Sequence, residues 1–439
     1  MNKQTVALIH YSAPPVVGGV ESVLAHHARL MADHGHAVRV LAARGDPWDE
    51  RVQFIRLPLI DSRHPRVLAV KAELDAGRVP PDFAALSGDI ARALRPALDG
   101  VELLVAHNVC SLNKNLALTA ALQALSRESD SPPLVLWHHD LAWTTPRYRA
   151  ELHDGYPWDL LRTHWGGVRH VVVSEFRRSE LAALLQIPSD SITVVPNGIE
   201  TANLLKLEAR TQALIASMNL AQAEPLLLLP ARLTPRKNIE LALRVLAALR
   251  RRDVPAGRLP ATGDVPLGRL YPRAMLVVTG PEGPHNPANA GYKQRLFALR
   301  DELRLRGAAH FAAEGGAEGL PDAVVADLFR FADALILPSR EEGFGIPLLE
   351  AALARLPVFC AGIPPLRDLG GEDATYFSPH ADPESVAGLI ADRLRGDAAY
   401  RFSARVKGGF TWERIYAAHI APLLLSFPHQ AGKAAGGAA

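Results

Sequence analysis

Residues 334–352 read ALILPSREEGFGIPLLEAA and combine a short apolar run, a glycine-containing loop and an apolar helical pattern. The run Ala334–Leu337 is typical of a strand that is buried on both faces. Gly343 and Gly345 have no Cβ, so they allow a sharp backbone turn with N–H groups close to a ligand. Pro347 suits a first helical turn, where its missing N–H costs nothing. The stretch therefore predicts a strand, a tight loop and a helix N-terminus in succession.

The start of this predicted helix is suited to an anion, because its free N–H groups and its macrodipole favour negative charge. Glu342 precedes the loop, and Glu350 lies in the predicted first turn. Two carboxylates would repel a phosphate group in direct contact, so hydroxyl groups are their expected partners. A ligand with both phosphates and hydroxyls is a nucleotide sugar. The structural alternative is that both glutamates only favour a helix N-terminus.

Short apolar runs alternate with helical patterns along the chain, as is typical of parallel sheets with helices on both faces. The twelve runs begin at Val6, Val38, Val52, Glu102, Leu134, His170, Ile192, Leu226, Met275, His310, Ala334 and Val358. They predict two doubly wound, Rossmann-like α/β domains, in residues 1–200 and 201–405. In such domains ligands bind at the carboxyl ends of the strands, so we expect the two domains to face a shared cleft.

Length and composition agree with a two-domain globular protein, since 439 residues suit two domains of roughly 200 residues. A formal net charge of +2 gives no electrostatic footprint for nucleic acid. No stretch approaches the roughly 18 apolar residues of a membrane span. Cys110 and Cys360 lie far apart, which suits a reducing compartment. We expect a cytoplasmic protein without stable membrane insertion, and leave homo-oligomers open.

Two basic residues follow the eighth apolar run. Arg232 and Lys237 precede a helical pattern that starts at Ile239, and positive side chains there oppose the helix macrodipole. A bound anion would explain them, whereas solvated surface charges are the structural alternative. Gly18 and Gly19 also precede a helical pattern. Their spacing is not G-x-G-x-x-G, so no dinucleotide fingerprint is present, and a plain turn is the alternative to a ligand-binding loop.

The loop after the fifth run, WHHDLAW, contains His138, His139 and Asp140. Adjacent residues of a regular strand cannot both face one ion, and no third ligand follows at a suitable spacing. We therefore predict no metal site, and packing is the alternative to a functional role. Four polar residues after the fourth run are candidates for binding an acceptor, together with Asp140: His107, Asn108, Asn113 and Lys114. Four residues after the ninth run lie either near a nucleobase or in a surface turn: Gly280, Glu282, His285 and Asn286.

The segment SREEGFGIPLLEAALARLPVFC resembles the E-x7-E signature of the retaining glycosyltransferases of family 4, which have the GT-B fold. The segments VVPNGIE, VSEFRRSEL, VVTGP and FTWERIYAAHI also occur in the family's order and cover most of the chain. The resemblance implies that Glu350 binds the nucleotide ribose and that Glu342 lies beside the donor sugar. The intervening loop, with Gly343, Phe344 and Gly345, would complete the donor site.

The family's R-x4-K pattern implies that Arg232 and Lys237 bind the donor diphosphate, although Ala231 stands where the family usually has glycine. Gly18, Gly19 and Gly280 would also approach the donor. His139 corresponds to the position beside the donor sugar, near the reacting carbon. The implied catalytic residues are thus His139, Arg232, Lys237 and Glu342.

The implied reaction moves a hexose, mannose or glucose, from a nucleoside-diphosphate sugar to a hydroxyl acceptor with retention of configuration. GDP-mannose and UDP-glucose are the leading donors, the acceptor is a sugar, a small metabolite or a lipid-linked sugar, and neither a metal nor another cofactor is expected.

A helix in residues 406–428 would cross back to the first domain through Trp412, Ile415 and Tyr416. A sugar-nucleotide epimerase, a phosphorylase or a non-catalytic sugar-nucleotide-binding subunit stay open as alternatives. The segment 253–273 is predicted to be a surface loop, and 429–439 a flexible tail.

Overall fold

The structure, a computed structural model, describes residues 3–251, 271–283, 288–314 and 319–427. It divides into two compact units, one formed by the chain up to Ile199 together with the segment from Phe410, and one formed by Glu200–Gly409. The ranges predicted from the sequence differ from this division by a few residues. The predicted tail and most of the predicted loop 253–273 lie outside the described residues.

The strands of the described residues are labelled β1 to β13 in chain order. They are Thr5–Ile9, Ala37–Ala42, Val52–Arg56, Leu103–His107, Leu134–His138, Arg169–Val172, Ile192–Val194, Leu226–Leu229, Met275–Val278, Ala309–Phe311, Ala334–Leu337, Val358–Ala361 and Thr375–Phe377.

The α-helices are labelled α1 to α16 in the same way. They are Gly19–Asp33, Pro65–Asp75, Asp82–Ala97, Leu116–Leu125, Glu175–Leu185, Thr201–Leu205, Ala209–Ser217, Ile239–Arg250, Ala288–Glu302, Asp322–Phe331, Ile346–Leu353, Pro364–Gly370, Pro383–Gly396, Ala398–Gly409, Trp412–Ile415 and Ala421–Leu425. A π-helical turn, Tyr416–Ile420, joins the last two. None of the described helices is both long and apolar enough to cross a lipid bilayer.

Each unit contains one parallel sheet. The first sheet has the order β3-β2-β1-β4-β5-β6-β7 and the second has the order β10-β9-β8-β11-β12-β13. All twelve apolar runs form strands, so the prediction of two doubly wound α/β domains is confirmed. The edge strand β13 was not predicted, because its three residues, TYF, begin with the polar Thr375 and form no apolar run.

The strand order reverses once in each sheet, between β1 and β4 in the first unit and between β8 and β11 in the second. At such a point the connections leave towards opposite faces of the sheet, which opens a crevice at the carboxyl ends of the two strands. Both strands of each pair are almost completely buried, so they hold the loops that follow them in fixed positions.

The C-terminal segment completes the first unit, as predicted. Trp412, Ile415 and Tyr416 are buried in a core cluster that also contains residues of β1, β2 and α1. This final helical segment begins at Trp412 rather than at residue 406, because α14 ends at Gly409 and Thr411 caps the next helix by accepting a hydrogen bond from the N–H of Arg414.

His27 of α1 is fully buried in this core, and neither of its ring nitrogens has a hydrogen-bond partner among the described residues. Its ring centroid lies 4.6 Å from that of Trp137 and 5.5 Å from that of Trp412. Burial, and then the nearby His139 and His26, lower the pKa of His27 to about 3. The imidazole is therefore neutral in the folded protein and serves as a packing group.

We predict that His27→Leu makes the stability of the first unit less sensitive to acid. The unfolded chain takes up a proton here near pH 6.5, whereas the folded chain does so only near pH 3. The stability that the neutral imidazole provides is complete above pH 6.5 and is lost as the pH falls towards 3. The wild type should thus lose up to about 1.4 kcal/mol per pH unit from this residue.

Urea unfolding at pH 7, 6 and 5 measures the effect. All six tryptophans lie in residues assigned to the first unit, so tryptophan fluorescence reports on that unit. The exposed His380 provides the control variant His380→Leu, which should keep the wild-type pH dependence. Equal slopes for His27→Leu and the wild type would show that the predicted proton uptake is wrong.

Candidate active site

The loops after β8 and β11 are fastened to each other at the point where the strand order of the second sheet reverses. Asn238 has a left-handed backbone conformation, and its side-chain amide donates to the carbonyl oxygens of Pro338 at 3.0 Å and Pro379 at 2.9 Å. The backbone N–H of Arg340 donates to the carbonyl oxygen of Arg236 at 2.8 Å. The structure thereby brings the predicted Arg232–Lys237 segment next to the loop that contains Glu342.

Lys237 and Glu342 form an ion pair, with 2.5 Å between Nζ and Oε1. Ser339 Oγ donates to the same carboxylate oxygen at 2.7 Å, and Arg236 lies 3.5 Å from the other oxygen. The two paired side chains are only 11% and 7% exposed. Since removal of Glu342 would leave the buried charge of Lys237 uncompensated, that change would cost about 3–5 kcal/mol of stability.

Arg232 differs from Lys237 because it has no ion pair or side-chain hydrogen bond within the described part of the chain. Its position depends on Gly280, where a Cβ would lie 2.2 Å from the carbonyl oxygen of Ala231 and 2.5 Å from the Arg232 nitrogen. The loop after β9 therefore packs directly on the backbone that carries Arg232. Leu233 donates its N–H to the carbonyl oxygen of Pro281 at 2.9 Å and holds the same contact.

The residues predicted to lie near a nucleobase are described only in part. Glu282 pairs with Lys293 at 2.8 Å. His285 and Asn286 lie outside the described residues.

The glycine-containing loop leads into α11 as predicted. Gly345 is the N-cap, with a φ of 108° that favours glycine, and Pro347 lies in the first turn. Phe344 is 55% exposed on this loop. Glu350 was predicted in the first turn but lies just beyond it, because the helix already begins at Ile346.

The carboxyl group of Glu350 accepts no hydrogen bond from any side chain or backbone group that the structure describes. Desolvation, followed by the nearby Asp322, raises its pKa above the ordinary value for glutamate. Both carboxyl oxygens are therefore available to accept hydrogen bonds from hydroxyl groups of a ligand.

The first unit has a corresponding arrangement where its own strand order reverses. Gly18 and Gly19 open α1 as predicted, and Gly18 has an extended backbone. Ser12 Oγ donates to Glu21 in the first turn at 2.6 Å, and His10 Nε2 lies 3.7 Å from the same oxygen. Burial raises the pKa of Glu21, but the nearby His10 and the hydrogen bond from Ser12 outweigh it and bring the pKa to about 2. This carboxylate is thus ionised.

Sequence reasoning missed His10, Ser12 and Glu21. A sequence signal existed only for Glu21, which lies two residues after the paired glycines. An acidic side chain at that position favours the start of a helix. A Cβ at Gly18 would lie 2.1 Å from the Glu21 carboxylate, so Gly18 leaves room for that side chain.

His139 follows β5 and is half-buried, with its Nε2 3.3 Å from Nδ1 of His107. Burial, and then the nearby His10, lower the pKa of His139 to about 4, although Asp140 opposes this. The ring is neutral at pH 7. His138 contacts His170 and Ser111 instead, so the two adjacent histidines have different surroundings.

No cluster of three or more potential metal ligands occurs in residues 3–251, 271–283, 288–314 and 319–427.

The predicted acceptor residues divide into two groups. His107 and Asn108 are almost completely buried, and they lie behind His139 and Asp140 rather than on the surface. Asn113 donates to Glu151 at 2.7 Å and is also buried, whereas Lys114 is half-buried and lies 6.0 Å from the ring centroid of Tyr11. The role of these residues in acceptor binding stays a prediction.

Two family models match the chain, and each covers most of one unit. Residues 17–203 match the model "Glycosyltransferase Family 4", and residues 211–405 match the model "Glycosyl transferases group 1". The chain therefore has the two domains of a GT-B glycosyltransferase.

The individual proteins that the chain resembles are similar either over a short segment or at low sequence identity. The serotype-specific mannosyltransferase WbdA of Escherichia coli is 39% identical over 77 residues, which are 18% of this chain and 9% of that protein. The MMP alpha-(1->4)-mannosyltransferase of Mycolicibacterium hassiacum is 23% identical over 95% of this chain and 97% of its own length. The sucrose-phosphate synthase structure from Thermosynechococcus elongatus is 18% identical and covers 97% of this chain and 99% of that one. The TM-score of this pair is 0.36.

We predict that Gly280→Ala weakens nucleotide binding. The new methyl group would overlap the backbone at Ala231. The segment that carries Arg232 has to move to relieve this overlap. A strain of about 1–3 kcal/mol corresponds to a loss of about 5- to 150-fold in affinity if it acts on binding. Calorimetric titration with UDP and GDP measures the loss, and circular dichroism verifies folding.

Gly388→Ala is the matched control, because a Cβ at Gly388 in α13 has no neighbour within 4 Å. It should bind both nucleotides as the wild type does. Wild-type affinity in Gly280→Ala would separate this loop from the nucleotide site.

Proposed function

We propose that this protein transfers a hexose from a nucleoside-diphosphate sugar to a hydroxyl group of an acceptor. The observation that carries the proposal is the convergence of Arg232, Lys237, Glu342 and the loop before α11 on the reversal point of the second sheet. Cations and open backbone N–H groups there suit a diphosphate, and carboxylates suit the hydroxyls of two sugars. Relatives named as mannosyltransferases favour mannose as the transferred sugar.

The donor would bind with its diphosphate between Arg232 and the N-terminus of α11. Arg232 has its full charge available there, whereas the charge of Lys237 is shared with Glu342. Glu342 would accept hydrogen bonds from the transferred sugar while it keeps Lys237 in place. Glu350 would accept them from the ribose, because its carboxyl oxygens have no partner among the described residues.

The reaction breaks the bond between the anomeric carbon and the diphosphate oxygen and forms a bond to the acceptor oxygen. The electron pair leaves with the diphosphate, where Arg232, Lys237 and helix N–H groups stabilise the added charge. The acceptor enters from the face that the diphosphate leaves, and its proton passes to the departing phosphate oxygen, so the configuration is retained. Our proposal requires neither a metal ion nor a separate protein base.

His139 would stabilise the positive charge that develops on the anomeric carbon. A neutral imidazole suits this task better than a cation, and burial keeps the ring neutral at pH 7. Similarity to the family suggests this role.

The direct test is transfer from GDP-mannose and from UDP-glucose to a panel of sugars, small polyols and lipid-linked sugars, with and without EDTA. We expect nucleoside diphosphate release that depends on the acceptor and is insensitive to EDTA. Arg232→Ala should lower kcat by about 10- to 100-fold, since a charge-assisted hydrogen bond is worth about 1.5–3 kcal/mol.

The exposed Arg244 on α8 supplies the control Arg244→Ala, which should keep wild-type kcat. A donor that is isomerised without any acceptor would favour an epimerase. Binding without turnover would favour a non-catalytic subunit, and full activity of Arg232→Ala would remove that residue from the site.

Glu350→Ala should raise the donor KM by about tenfold while the melting temperature stays the same. The reason is the loss of a charge-assisted hydrogen bond to the ribose, worth about 1.5 kcal/mol, from an exposed side chain without described partners. Steady-state kinetics at saturating acceptor measures the KM. The control Glu372→Ala removes an exposed carboxylate of the same unit. An unchanged KM in Glu350→Ala contradicts the ribose role.

A further inference from the structure

A single amide side chain joins the loops that follow β4 and β5. Asn108 Oδ1 accepts hydrogen bonds from the backbone N–H groups of His139 at 3.1 Å and Asp140 at 3.0 Å, and from Ser111 Oγ at 3.3 Å. Its Nδ2 lies 3.4 Å from a carboxylate oxygen of Asp140 and donates to it. Asn108 is only 3% exposed, so water does not replace these partners.

The backbone of Asn108 makes this arrangement possible. Its φ of 59° lies in the left-handed region, which asparagine tolerates better than most residues. Its N–H still donates to the carbonyl oxygen of Trp137 at 2.8 Å, so the ladder between β4 and β5 extends to the turn itself. The side chain therefore reaches the start of the next loop from a fixed strand end.

The two backbone N–H groups fix the orientation of the amide, and a chain of hydrogen bonds leads away from its oxygen through Ser111. His138 Nδ1 lies 3.0 Å from Ser111 Oγ, His138 Nε2 lies 3.0 Å from His170 Nδ1, and His170 Nε2 lies 3.1 Å from His164 Nδ1. Burial lowers the pKa values of His138 and His170, so both rings are neutral and each has one N–H and one acceptor nitrogen.

Because Ser111 gives its proton to Asn108, it must accept from His138, and each ring in turn must carry its proton on Nδ1. The chain therefore has one direction, from the exposed His164 to the amide oxygen.

We propose that Asn108 is a positioning residue of the active centre, which holds His139 and Asp140 in place through its amide oxygen with support from the histidine chain. This inference rests on the proposed function, because His139 is the residue that it places beside the reacting carbon. The residues proposed to bind the diphosphate and the ribose of the donor lie in the second unit, far along the chain from Asn108. The loss of Asn108 should therefore lower kcat and leave the donor KM unchanged.

The charged and titratable groups around the amide give a specific pH signature. Asp140 faces it directly and also lies 3.7 Å from Arg177 of α5, while His107, His138 and His139 surround it from the ends of β4 and β5. In Asn108→Asp the donating Nδ2 becomes an oxygen that faces a second carboxylate. One proton shared by the two carboxyl groups restores the lost hydrogen bond, and such a pair takes up that proton at a raised pKa.

The experiment compares Asn108→Gly, Asn108→Asp and the wild type by steady-state kinetics between pH 5 and 8 and by hydrogen exchange of the peptide that contains residues 139 and 140. Glycine keeps the left-handed backbone and removes only the amide. We expect a kcat reduced about 10- to 100-fold at every pH in Asn108→Gly, because two buried N–H groups lose their acceptor. Asn108→Asp should recover activity as the pH falls, and the donor KM should stay within about twofold in both.

Exchange at His139 and Asp140 should be faster in Asn108→Gly than in the wild type. Asn219→Gly is the matched control, since Asn219 is exposed, has a φ of 53° and lies in the second unit. It should match the wild type in both measurements. Unchanged exchange in Asn108→Gly, or faster exchange with wild-type kcat, overturns the inference about Asn108. A wild-type protein that turns over no nucleotide sugar overturns the proposed function, and exchange still shows whether Asn108 holds the loop.

Discussion

The parallel pairing of strands that are buried on both faces is the constraint from which the candidate site follows. A parallel sheet places the carboxyl ends of neighbouring strands side by side, and the reversal of strand order leaves one place in each sheet where their loops are not covered by a connecting helix. In the second unit this place brings together Lys237 and Glu342, which are 105 positions apart in the chain. In the first unit Glu21 contacts His10 and Ser12 at the corresponding place.

The ion pair between Lys237 and Glu342 changes how the charges of the second unit are understood. Considered separately, the lysine suits a phosphate and the glutamate suits a hydroxyl. As a buried pair their charges cancel, and Ser339 and Arg236 also contact the glutamate. Arg232 is then the cation with the freest charge in this part of the structure, and the close packing of Gly280 on its backbone keeps it in place.

Local patterns predicted most of the fold and a part of the site. The twelve apolar runs became strands, and the inner strands β4, β5, β8, β9 and β11 are buried along their whole length, whereas β13 has three residues and begins with the polar Thr375. The helix before the crossing segment ends at Gly409, and sequence periodicity alone did not reveal this break. The loop before α11 was predictable because its glycines and proline act locally. The role of Asn108 was not, since its partners at 139 and 140 lie in a loop that only the sheet brings next to it. The contacts of Glu21 were missed because they depend on the path of the turn between β1 and α1.

The return of the chain to its first unit has a consequence for biosynthesis. Part of that unit's core, including Trp412, Ile420 and Leu424, is synthesised after the whole second unit, which is one continuous segment. The N-terminal sheet must therefore wait, with an apolar surface open to chaperones, until the second unit and the segment after it have been synthesised. The half of the protein that is synthesised first is the half that matures second.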